Sequence, residues 1–147
     1  MRLWHYKLLP YLPDAQFKGQ LRELVAILHD WRDRGQTNHI LINKVMEFPK
    51  SHLFLYFLDY HAISCIRFGT KLSAYADEFE QFARLTDGRF LGDEPFPGWH
   101  NKEYLRVCMA NLYEKHVFGR GRSRITDAEW KWLLYGYKVI TGEDYKI

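Results

Sequence analysis

An all-α fold, one compact bundle of about five helices spanning residues 1–147, is what this sequence predicts. Three observations predict it. Apolar residues recur at helical spacing through most of the chain, glycines stand where those stripes end, and no repeat, low-complexity tract or linker divides it. Hydrophobic residues at 47% and aromatics at 17% are enough to fill one core.

Met1 to Pro13 reads as an aromatic lead-in that Pro10 and Pro13 keep from becoming a regular helix. Asp14 then stands as an N-cap. Phe17, Leu21, Leu24, Leu28 and Trp31 follow at helical spacing, widened by Val25 and Ile27, up to Gly35. At 100° per residue Arg22 falls on the polar side and Glu23 at the edge of the stripe, which predicts a half-buried carboxylate. Gln36 to Pro49 does not decide between a short strand and an irregular crossing, and is treated as a connection. Lys50 to Phe68 is apolar nearly all round, as a central helix would be, with Ser51 as N-cap and Gly69 as stop. Thr70 to Leu85 sets Leu72, Tyr75, Phe79 and Phe82 against Asp77, Glu78 and Glu80, the pattern of a surface helix.

Asp87 to Asn101 holds Gly88, Gly92, Gly98, Pro95 and Pro97 and is the longest expected loop, a candidate functional edge. Asn101 to Phe118 is the next helix, capped at Gly119. Thr126-Asp127-Ala128-Glu129 is a capping box, Ile125 and Trp130 form its hydrophobic staple, and the last helix runs to about Ile140.

Composition narrows function by exclusion. A net charge of +3 makes the chain mildly basic, so any nucleic-acid site must be a local patch. Cys65 and Cys108 form no CxxC and no disulfide framework, which fits a reducing, cytoplasmic setting. No apolar run has the length of a membrane span, and Pro10, Pro13 and Asp14 interrupt any signal-peptide core, so a mature chain starting at or near Met1 is expected.

Three features can carry chemistry. The first is the N-terminal amine with Glu23. An α-amine with a pKa near 7.7 to 8.0 is roughly one-tenth unprotonated at pH 7, a lysine less than about one-thousandth, so the terminus is the better ready-made nucleophile. Glu23 can hold a protonated imine and shuttle a proton. On composition alone, an Arg-Glu pair on an amphipathic helix is more often a solvated surface pair. The second is Gly119-Arg120-Gly121-Arg122-Ser123-Arg124 with Lys131, either a phosphate-binding turn or a helix cap followed by a solvated one. The third is Trp130, Trp132, Tyr135 and Tyr137: Trp130 and Tyr137 read as core, and Trp132 is the better candidate for stacking on bases. His61 and Cys65 share the i, i+4 spacing of a metal pair, and no zinc site is expected from them.

Met1-Arg2-Leu3-Trp4-His5, Leu12-Pro13, Gly19-Gln20 and Arg22-Glu23 carry a resemblance. In these residues the chain resembles the phage-type pyrimidine-dimer DNA glycosylases of the endonuclease V type, and more closely a group of bacterial proteins placed with them that begin Met-Arg-Leu-Trp-His. The likeness runs through Phe48-Pro49-Lys50 and the helix after it, roughly the first seventy residues. Beyond that it rests on helices and a basic, aromatic C-terminal end.

The resemblance implies a small helical enzyme whose N-terminal amine attacks C1′ of a damaged nucleotide, releases the base and leaves an imine, with a glutamate supporting strand cleavage by β-elimination. Carried over, Met1 supplies the amine, Glu23 the carboxylate and Arg22 a phosphate contact, while Arg2 is the arginine after the nucleophile. Lys50, Arg120, Arg122, Arg124, Lys131 and Trp132 are the further DNA-binding candidates. The partner is double-stranded DNA, damaged or abasic, reached by extruding a nucleotide; no metal, organic cofactor or membrane is expected. One departure stands out. The characterised enzymes use a threonine exposed by methionine removal, whereas Arg2 is too large for Met1 to be removed, so the amine is Met1's own and one extra residue separates it from Glu23. A non-catalytic nucleic-acid-binding module on the same fold and a protein-interaction domain are the alternatives.

Overall fold

The stripe around Phe17 folds as α1, Asp14–Arg34, which buries Phe17, Leu24, Ile27 and Leu28. This computed structural model describes residues 2–35, 40–85 and 94–147. Four further long helices follow: α3 (Lys50–Phe68), α4 (Ser73–Arg84), α5 (Lys102–Phe118) and α6 (Asp127–Thr141). The described residues contain no strand, and the five long helices agree with the expected bundle. The short α2, Ile40–Met46, is the addition. The stretch treated as a connection turns helical from Ile40 because Val45 is buried and Leu41 and Met46 pack on the core. Seven residues are too few for periodicity to declare itself.

Helix ends follow the sequence with two corrections. Asp14 and Ser51 are not the N-caps; Pro13 and Pro49 hold those positions one residue earlier, and neither offers a side-chain cap. A proline supplies the needed φ without a side-chain acceptor. Asp14 instead sits in the first turn and pairs with Arg67 at 2.9 Å, while Ser51 is buried inside α3. Gly35 and Gly69 close α1 and α3 in the left-handed conformation, with φ of 70° and 68°. Gly119 is glycine for another reason. Its φ is −66°, and a Cβ there would strike the carbonyl of Lys115. The capping box is present in both directions: Thr126 Oγ1 accepts from the Glu129 amide at 3.2 Å, and Glu129 Oε1 accepts from the Thr126 amide at 3.0 Å. Ile125 and Trp130 are both buried in the same core.

Of the expected loop, residues 87–93 lie outside the described residues. From Glu94 the chain turns tightly enough to bury Phe96 and His100, so its later half is a wall of the core.

The lead-in is a 3-10 helix, Tyr6–Tyr11, packed against α3 and α6, and two devices fix it there. Arg67 donates to the Leu9 carbonyl at 3.1 Å and lays its guanidinium 4.8 Å over the Phe17 ring. Gly136, buried in α6, lets the Tyr11 ring lie directly on the helix backbone. An added Cβ would enter that ring, so Gly136→Ala is expected to cost about 1–3 kcal/mol and lower Tm by several degrees in a calorimetric melt. A Tm equal to wild type would mean that the lead-in yields at no cost.

Candidate active site

In the first residues an extended segment runs through a helical protein. Leu3, Trp4 and His5 are buried with no neighbouring strand to take up their backbone polar groups, so side chains must do so. Gln20 on α1 does most of it. Its Oε1 accepts from the Trp4 amide at 2.8 Å and its Nε2 donates to the Arg2 carbonyl at 2.8 Å, a two-point clamp by a residue that is 1% exposed. Tyr56 on α3 donates to the Trp4 carbonyl, and Tyr104 on α5 donates to the Leu3 carbonyl at 2.6 Å. Burial pushes both phenols above their ordinary pKa, so both remain donors. His100 Nδ1 accepts from the Tyr6 amide at 3.3 Å.

The clamp delivers the start of the chain to one carboxylate. The Arg2 amide donates to Glu23 Oε2 at 2.6 Å, and Gln20 and Glu23 lie one turn apart on α1. Met1 lies outside the described residues; its carbonyl carbon is bonded to the Arg2 nitrogen, and successive Cα atoms are about 3.8 Å apart. Glu23 is half-buried, as its helix position predicted.

Around this point opens a cleft of about 330 Å³. Arg2, Arg22, Lys115 and Arg122 line it with Glu23, four cations to one carboxylate. Gln16, Gly19, Gln20 and Ser123 are also in its walls, and the Trp4 ring underlies the Arg2 guanidinium at 5.6 Å. The cleft is thus a local basic patch on a chain of modest net charge, suited to a phosphate backbone.

Of the residues expected from sequence, Arg2, Arg22, Glu23 and Arg122 meet here. Arg120 and Arg124 are exposed on the same turn without lining the cleft. Lys50 sits at the start of α3 with its ammonium 5.1 Å over the Phe82 ring. Lys131 and Trp132 are exposed on α6, where Trp132 stacks on Tyr135 and shares a second groove with Tyr11, Asp14 and Arg67. Trp130 and Tyr137 are core, as expected. His61 Nε2 accepts from the Leu72 amide and Cys65 Sγ meets the Thr70 carbonyl, so each has a local partner. Among the described residues no three His, Cys, Asp or Glu side chains are grouped to hold a metal, and no helix is long and apolar enough to cross a membrane. Lys115, Gln16, Tyr56 and Tyr104 were missed. The signal for the tyrosines was faint: a phenol on a buried stripe needs a partner, and the sequence does not say where.

Behind the segment lie His5 and His100, ring centroids 5.1 Å apart among Tyr6 and Tyr104. Burial lowers His5 to about 4 and holds His100 well below 6.5. Above pH 6.5 both are neutral whether folded or unfolded. Between about 6.5 and 4 the unfolded chain binds protons that the folded one refuses, so stability falls as pH falls through that window. For His5 alone the gap corresponds to roughly 3 kcal/mol. Urea melts from pH 7.5 to 4.5 are expected to show the midpoint dropping below pH 6.5, and His5→Phe to flatten part of that slope.

Geometry and chemistry together define a class: a helical domain that presents its own N-terminal backbone to a carboxylate inside a cationic cleft. Residues 1–67 match the family model described as pyrimidine dimer DNA glycosylase. The match ends within α3, so Glu23, Arg22 and the clamp from Gln20 and Tyr56 fall inside it, while Lys115 and Arg122 fall outside. No significant match to a curated protein or to a solved structure was found.

Proposed function

We propose that the protein is a DNA glycosylase with abasic-site lyase activity, and that the α-amine of Met1 is its nucleophile. The unprotonated amine attacks C1′ of the damaged nucleotide, the base leaves with the glycosidic electron pair, and the sugar ring opens to a protonated imine. Glu23 stabilises that cation and takes the C2′ proton, whereupon the 3′ phosphate is expelled by β-elimination. Arg2, Arg22, Lys115 and Arg122 neutralise phosphates on either side of the extruded sugar. Amine and carboxylate supply the chemistry without metal or organic cofactor.

One observation carries this reading: the first described amide of the chain donates to Glu23 at 2.6 Å inside the cationic cleft. A surface Arg-Glu pair does not need three helices to hold a backbone segment against it. The test is borohydride trapping on duplex DNA with a single abasic site, followed by peptide mapping. A covalent adduct on the Met1 amine is the expected result. Bound DNA without an adduct would leave a binding module, and an adduct mapped to Lys115 would move the nucleophile across the cleft.

A further inference from the structure

Gln16 lies two turns before Glu23 on the same face of α1 and is 8% exposed. Its Nε2 donates to the Ser123 carbonyl at 2.9 Å across 107 residues of sequence. A carbonyl only accepts, so the amide's orientation is fixed: the NH2 faces Ser123, and Oε1 is left without a donor among the described residues. A buried amide half-satisfied in this way is a poor choice for stability, since a methionine would fill the same space without an unpaired acceptor. Its donating end is what remains to explain it.

That end holds the basic turn. Within Arg120–Arg124 the Ser123 hydroxyl donates to the Arg120 carbonyl at 3.1 Å and the Arg124 amide donates to the Gly121 carbonyl at 3.3 Å, so the turn is a small closed unit. Its far end is tied to α5, where the Ile125 amide donates to the Lys115 carbonyl and His116 Nδ1 meets the Ile125 carbonyl at 2.9 Å. Across the cleft, Gln16 makes the hydrogen bond that joins it to α1 among the described residues. Gly119 precedes the turn and Gly121 lies within it, and the bond from Gln16 sets the side of the turn that carries Arg122 against α1, where Arg122 shares the cleft with Arg22 and Glu23.

We infer that Gln16 is a positioning residue for DNA. Its amide locks the arginine turn against α1, so that Arg122 is ordered before a strand arrives and contributes its phosphate contact in the same cleft as Glu23. This rests on the DNA reading above. Ordering in advance removes an entropic cost that a free glycine-containing turn would meet on binding.

The experiment measures binding of a duplex carrying one reduced, uncleavable abasic site over a salt series, for wild type, Gln16→Met, Arg122→Ala and the double variant. Gln16→Met is expected to weaken binding about 3- to 10-fold, the range for one lost hydrogen bond. It should lower the slope of log K against log salt by about 0.9, the value for one phosphate. Arg122→Ala should do the same, and the double variant should lose no more. A merely structural role for Gln16 would leave the slope unchanged. Gln16→Asn, which withdraws the amide by one methylene, is measured in parallel in case the methionine variant does not fold. An unchanged slope, or losses that add in the double variant, would overturn the role of Gln16. Wild-type protein without salt-dependent binding would instead overturn the DNA reading itself.

Discussion

Glu23→Gln lowers the single-turnover rate of strand cleavage at an abasic site by about 10²- to 10⁴-fold, the usual contribution of a positioned acid or base. Affinity for the same DNA should stay level or rise a few-fold, because the variant removes the carboxylate from a cleft with four cationic side chains. The fold should survive, since the amide oxygen still accepts from the Arg2 amide that now meets Glu23 at 2.6 Å. What glutamine cannot do is take a proton or hold a cationic imine as an anion does. The outcome therefore separates chemistry from binding: a slow rate on tightly bound DNA fits the proposal, whereas loss of binding would make Glu23 a scaffold residue. A wild-type rate would remove Glu23 from the mechanism altogether.

Stripes, glycine stops and the capping box at Thr126 made the five long helices readable from sequence, because each is a local rule with a period or a fixed spacing. The site was readable in part. Arg2, Arg22 and Glu23 lie within one N-terminal pattern, and Glu23 falls at a half-buried helix position by angle alone. Lys115 was not visible, since it lines the cleft from the last turns of α5, far in sequence from the α1 residues opposite, and nothing local distinguishes it from any lysine on a polar face. Sequence names Arg122 together with its neighbours Arg120 and Arg124, and which of the three lines the cleft depends on how the turn docks across it, where a hydrogen bond spanning 107 residues joins it to α1. The caps at Asp14 and Ser51 misled because each follows a proline, and proline's fixed φ starts the helix one residue early. Long-range backbone satisfaction is the common thread in what was missed: sequence shows that a buried segment needs partners, not which side chains supply them.

Gln20→Leu tests that thread most severely. Among the described residues Gln20 offers the Trp4 amide its acceptor and the Arg2 carbonyl its donor, both at 2.8 Å, from a position 1% exposed. Leucine fills much of the volume and satisfies neither group. Each buried, unpaired backbone group costs about 1–3 kcal/mol, so a loss of roughly 2–5 kcal/mol is expected, read as a lower urea midpoint at unchanged m-value. Activity should fall further than stability explains. With the clamp gone the Arg2 amide no longer has its fixed approach to Glu23, and a displacement of about 1 Å is enough to cost on the order of 100-fold in rate. Gln20→Glu refines the result: it keeps the acceptor for Trp4 but loses the donor to Arg2, so it should be intermediate in stability and still slow in cleavage. If Gln20→Leu melts and cleaves as wild type does, the extended segment finds other partners at no cost, and the N-terminus is not held by the clamp described above. If it is destabilised yet cleaves at full rate in its folded fraction, the clamp serves the fold alone, and the proximity of Arg2 to Glu23 is not what the chemistry requires.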